Sequence, residues 1–114
     1  SVPGEIIPRH EFYSYEAKYL DENGAAFEIP ARLTLHQKKE VQSLAREAFE
    51  TIGAEGMARV DFFLRKKDGK FFLNEINTLP GFTPISKYPK LWEASGISYS
   101  QLITRLLELA MEKE

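Results

Sequence analysis

Two short segments of this 114-residue chain hold side chains whose types and spacing could do chemistry. "RVD" places Arg59 and Asp61 two residues apart, and "NEIN" does the same for Glu75 and Asn77. Both sit in strand-like apolar runs, "ARVDFFL" and "FFLNEIN". Side chains alternate across a strand, so each pair projects from one face. Two carboxylates held close together repel and resist ionising jointly unless a cation compensates them. Asp61, Glu75 and Asn77 offer only oxygen, a donor set that suits Mg²⁺ or Mn²⁺. Mg²⁺ typically takes one or two protein carboxylates and leaves its other positions to water and phosphate oxygens. The set therefore points to a metal–nucleotide complex. An Asp and a Glu on adjacent strands also suit a plain solvated face, with Arg59 or Lys66 as an ion-pair partner.

Whether the two pairs meet depends on the turn between the strands. A two-residue Asp68-Gly69 turn would pair 67 with 70 and set 61 against 76, so the acids would diverge. A three-residue loop, Lys67-Asp68-Gly69 with Gly69 left-handed, pairs 66 with 70. Position 61 then opposes 75 and 59 opposes 77, with facing Cβ atoms about 4.5–5.5 Å apart. This expectation interleaves the polar face with Phe63, Phe71 and Leu73, and gives the core face to Phe62, Leu64, Phe72 and Ile76.

The remaining chain supplies the frame. Strand candidates are Gly4–Ile7 and Ala26–Ile29, joined by a long irregular segment with an Asn23-Gly24 turn signal. Loops of that length are usually functional or disordered. Thr34 and Gln37 have capping-box spacing, and Val41, Leu44, Ala45, Ala48, Phe49 and Ile52 form one helical stripe that ends at Gly53. Pro89 suits the first turn of a short helix, Pro89–Ala94, that stops at Gly96. Ser98 and Gln101 repeat the capping box before a second stripe: Leu102, Ile103, Leu106, Leu107 and Ala110.

Composition bounds the class. With 43% hydrophobic and 28% charged residues the chain is ordinary globular material, sized for one small domain or part of a larger one. A net charge of −2, well mixed, gives no sign of a nucleic-acid or membrane-surface partner. The absence of cysteine removes disulfides and thiolate metal sites. No apolar run approaches the ~18–20 residues of a membrane span, and no signal-peptide pattern occurs, so a cytoplasmic location is the default expectation.

"FYSYEAKYL", "GMARVDFFL" and "FFLNEINTLPGFTPISKYPKLWEASGISYSQLI" together resemble the D-alanine–D-alanine ligases of the ATP-grasp superfamily, over Gly4 to about Leu109. The resemblance implies an α+β fold: the carboxyl-terminal portion of an ATP-grasp ligase, an antiparallel sheet with a metal-binding hairpin packed against helices. It implies ATP as co-substrate, two Mg²⁺ or Mn²⁺ ions on Asp61, Glu75 and Asn77, and two D-alanines joined through an acyl phosphate for peptidoglycan precursor synthesis. Arg59 and the Gly81 backbone N–H match the oxyanion-stabilising pair. Ser86 matches the residue that binds the carboxylate of the second D-alanine, with at most a backbone N–H from Lys87. Lys18 and Tyr19 match a mobile lid, Lys18 neutralising the γ-phosphate and Tyr19 ordering the loop and the acceptor site. The intact "YEAKY" favours D-alanine over D-lactate as acceptor.

The expected plan is a lid loop at about 9–25, a metal hairpin at 57–77 and a substrate loop at 78–88. The resemblance covers only the carboxyl-terminal third of such a ligase. The amino-terminal domain and most of the central domain are then missing partners, the chain alone is inactive, and the full-length protein is a homodimer. Two alternatives are another ATP-grasp carboxylate–amine ligase and a non-catalytic binding domain that kept the fold. "YEAKY" with Ser86 argues against the first, and the intact Arg59, Asp61, Glu75 and Asn77 argue against the second.

Overall fold

The computed structural model describes residues 1–8 and 25–112. Within them the elements are β1 (Glu5–Pro8), β2 (Ala25–Glu28), α1 (Leu35–Thr51), β3 (Arg59–Arg65), β4 (Lys70–Asn77), α2 (Lys87–Ala94) and α3 (Tyr99–Glu112). The fold is α+β, as expected, with the antiparallel strands divided between two two-stranded sheets, β1–β2 and β3–β4.

In the first sheet Glu5 opposes Glu28 and Ile6 opposes Phe27. Gly4 lies just before it, where a Cβ would fall 2.7 Å from the Phe27 ring and 2.9 Å from Leu91. Only glycine lets the chain pass that close, so the sheet rests on α2. The expected capping box begins α1: the Thr34 N–H donates to Gln37 Oε1 and the Gln37 N–H to Thr34 Oγ1, each at 3.1 Å. Gly53, at φ +69°, closes this helix as the sequence suggested. The stripe of α1 turns toward the hairpin, where Leu44, Ala48 and Ile52 line a groove with Phe62, Leu73 and Ile76. α2 starts at Lys87, two residues earlier than expected, so Pro89 is its third residue. Ser98 and Gln101 cap α3 reciprocally, at 2.9 and 3.2 Å. Of its stripe Leu102 is buried, whereas Ile103 and Leu107 are exposed.

The β3–β4 hairpin reaches the expected partner pairs by a different route. Arg65 pairs with Lys70, so the turn has four residues, 66–69, and not three. Gly69 is left-handed at φ +68°, and its N–H donates to Arg65 O at 2.8 Å. Arg65 braces the turn through both oxygens of Asp68, at 3.0 and 2.6 Å. The ladder then runs to Phe62 opposite Leu73, shifts, and resumes with Asp61 opposite Glu75. Asn74 is the extra residue of a β-bulge.

That bulge corrects the expected faces. Phe71 and Leu73 share the core face with Phe62, and Phe72 pairs with Phe63 on the polar side. The Phe62 and Phe71 rings meet edge to face at 6.2 Å, and the Arg65 guanidinium lies 4.9 Å over the Phe72 ring. An unbroken ladder would send residues 71, 73, 75 and 77 to one side. One unpaired residue reverses the alternation, so two apolar side chains reach α1 while Glu75 and Asn77 stay out of it.

Candidate functional site

Arg59 heads the polar face of the hairpin. Its Nε donates to Asp61 Oδ1 and its Nη2 to Asp61 Oδ2, both at 3.0 Å. The same Nη2 lies 3.7 Å from Glu75 Oε1. Only 13% of the Arg59 side chain and 20% of Asp61 are exposed, against 46% of Glu75. One guanidinium thus bridges two acids on facing strands, and two parallel charge-assisted hydrogen bonds fix its plane. The repulsion expected from Asp61 beside Glu75 is offset inside the protein.

Asn77 stands opposite Arg59 at the end of β4. Its Oδ1 accepts the Leu79 N–H at 3.3 Å, an Asx-type turn that bends the chain off the sheet. The loop that follows, residues 78–86, is pinned at Phe82. Tyr99 donates its hydroxyl to Phe82 O at 2.7 Å, and the Phe82 ring packs 5.9 Å from Tyr88 and 5.5 Å from Tyr99. Tyr88 is buried, and desolvation pushes its hydroxyl above the ordinary tyrosine range, with a hydrogen bond to Trp92 opposing.

This anchoring brings Gly81 onto Ser86: a Cβ at Gly81 would lie 3.1 Å from Ser86 Oγ. Ser86 is the N-cap of α2, yet its side chain caps nothing. It accepts the Thr83 N–H at 3.0 Å and lies 2.7 Å from the Thr83 hydroxyl. The Lys87 ammonium sits 5.9 Å from the centre of the Phe27 ring, which leaves the backbone N–H as the part that fits the expected role.

The structure therefore unites Arg59, Asp61, Glu75 and Asn77 on one face, and Gly81 with Ser86 in one loop. Lys18 and Tyr19, with the lid segment around them, lie outside the described residues. Among the described residues no group of three or more His, Cys, Asp or Glu gathers as a metal cluster. Two acids and an amide nonetheless fit a hard cation, since every donor is oxygen and water or phosphate can complete the shell. Sequence reading missed Thr83, Phe82 and Tyr99. The Thr-x-x-Ser spacing of "TPIS" was the available signal for the first; nothing local announced the other two.

A family model described as "D-ala D-ala ligase C-terminus" matches residues 1–108. The chain is 58% identical over 113 residues to the D-alanine–D-alanine ligase of Oceanobacillus iheyensis, covering 99% of this chain and 31% of that protein. It is 53% identical over 112 residues to the ligase of Treponema denticola, covering 98% of this chain and 30% of the relative. Among solved structures, the D-alanine–D-alanine ligase of Coxiella burnetii superposes with a TM-score of 0.75 at 45% identity, over 78% of this chain and 25% of that one. A D-Ala:D-Ser ligase of Enterococcus faecalis superposes with a TM-score of 0.79 at 34% identity, over 93% of this chain and 30% of that one.

Proposed function

The chain belongs to the D-alanine–D-alanine ligase carboxyl-terminal family, and from that premise we propose that it supplies the cation-binding and acceptor-binding part of an ATP-dependent ligase. The whole enzyme joins two D-alanines for peptidoglycan precursors, in the cytoplasm and as a homodimer. The chain spans about 31% of the relative from Oceanobacillus iheyensis, so the first substrate site and most of the nucleotide pocket belong to the remainder.

The observation that carries this reading is the hairpin register, Asp61 opposite Glu75 with Arg59 bridging both. Asp61, Glu75 and Asn77 would hold the Mg²⁺ or Mn²⁺ ions. When bound, such ions neutralise and orient the phosphates of ATP. Arg59 is the cation fixed beside these acids, and its guanidinium suits a developing oxyanion. The Gly81 N–H is its partner donor, because glycine lets backbone approach a ligand closely. Ser86 and the Lys87 N–H receive the carboxylate of the second D-alanine. In this plan, Lys18 neutralises the γ-phosphate, Tyr19 serves the acceptor site, and the segment that carries them keeps water from the acyl phosphate.

The test pairs Asp61→Asn with Glu75→Gln in the ligase that contains this chain. D-alanine-dependent phosphate release is expected to fall at least about a hundredfold, and Mn²⁺ binding followed by electron paramagnetic resonance to disappear. Near wild-type turnover in the double variant would refute the reading.

A further inference from the structure

We propose that Thr83 is a positioning residue for the acceptor substrate: its hydroxyl donates to Ser86 Oγ and so commits the Ser86 proton to a bound carboxylate. The inference rests on Ser86 as the carboxylate site and adds the residue that orients it.

The starting point is why Ser86 does not cap its helix. An N-cap oxygen normally accepts the N–H of the second or third helical residue. The third residue of α2 is Pro89, which has no N–H, and no side-chain cap bond forms from Ser86. The oxygen is instead held inside the loop. Thr83 N–H donates to it at 3.0 Å, the two hydroxyls stand 2.7 Å apart, and Ser86 N–H returns a bond to Thr83 O at 3.0 Å. Gly81 crowds the same atom from another side, since even a Cβ there would come within 3.1 Å.

A serine hydroxyl has one proton to give and room for two donors. The Thr83 N–H takes one acceptor position of Ser86. Between the two hydroxyls alone, either can be the donor. A carboxylate accepts only, so it settles the direction: Thr83 Oγ1 donates to Ser86 Oγ, and Ser86 donates to the anion. Both acceptor positions on Ser86 are then filled, and its proton has one place to go. Phe82, clamped by Tyr99 and Tyr88, holds Thr83 in this geometry before substrate arrives.

Thr83→Val keeps the shape and the backbone N–H but removes the hydroxyl; Thr83→Ser keeps the hydroxyl. Both are made in the ligase containing this chain, beside Ser86→Ala and the double variant Thr83→Val/Ser86→Ala. Steady-state kinetics read KM for the acceptor D-alanine separately from KM for ATP. The expected result is an acceptor KM raised about threefold to tenfold in Thr83→Val, restored to within about twofold in Thr83→Ser, with KM for ATP unchanged throughout. The double variant should match Ser86→Ala, because without Ser86 the Thr83 hydroxyl has nothing to orient. If Ser86→Ala raises the acceptor KM while Thr83→Val behaves as wild type, the inference is overturned and the Ser86 assignment stands. Equal impairment in Thr83→Ser and Thr83→Val also overturns it. No change in Ser86→Ala would overturn the carboxylate site itself.

Discussion

Arg59 stands between two acids that would otherwise face one another across a strand pair, and this makes it a structural cation as well as a candidate catalytic one. Its fork takes both Asp61 oxygens while one nitrogen leans toward Glu75. Arg59→Ala should cost about 1–3 kcal/mol of stability, the range for charge-assisted bonds at a largely buried site. A divalent cation can supply the missing charge, so Mg²⁺ should stabilise Arg59→Ala more than it stabilises the parent chain. By linkage, saturation at a hundredfold over Kd contributes about 2.7 kcal/mol. Urea titrations with and without MgCl₂ check this; equal Mg²⁺ gains in both proteins would show that Arg59 does not stand in for a metal. Arg59→Lys separates charge from geometry, since an ammonium keeps the charge and loses the fork.

The hairpin shows what an element adds to its residues. Its turn needs a left-handed residue at Gly69, so Gly69→Ala should cost roughly 1–2 kcal/mol in thermal or urea unfolding. The turn also carries a pH signature. Arg65 holds the Asp68 carboxyl below its ordinary 3.8, chiefly through their hydrogen bonds. A carboxylate with a lower pKa in the folded state stabilises it above the unfolded value and ceases to as pH falls through the folded value. The contribution is therefore complete well above 3.8 and fades as pH falls below it. Comparing the parent with Asp68→Asn by urea unfolding between pH 2 and 7 should show a stability gap that closes toward the acid end. A constant gap would mean the Asp68 charge plays no part. Much of the element was legible beforehand: both strands, the left-handed glycine and the pairs 59–77 and 61–75. The turn length and the assignment of Phe71, Phe72 and Leu73 to faces were not. Alternation tells which residues share a side only while the ladder is regular, and a single unpaired residue at Asn74 reverses it.

At the scale of all the described residues the burial is thin. Among the described residues the buried hydrophobic side chains are Val41, Tyr88 and Leu102, while Leu79, Ile85 and Met111 are each at least 80% exposed. Apolar surface on this scale marks contact sites. The isolated chain should therefore self-associate at micromolar concentration and bind a hydrophobic dye, as sedimentation velocity and fluorescence would show. A monodisperse monomer without dye binding would contradict this. The isolated chain is also expected to form no dipeptide above a Glu75→Ala control in a coupled assay. Sequence alone settled what local chemistry can encode: two capping boxes, the inward stripe of α1, the pairing of 59 with 77 and 61 with 75, and a family resemblance that the relatives bear out. Tertiary packing decided the rest, because it sets helix against strand. α1 gains by packing beside Phe71 and Leu73, Glu75 and Asn77 would lose by turning into it, and the bulge at Asn74 satisfies both demands. The Thr83–Ser86 pair combines the two, since a local turn brings the hydroxyls together while Phe82, Tyr88 and Tyr99 fix that turn against α2 and α3.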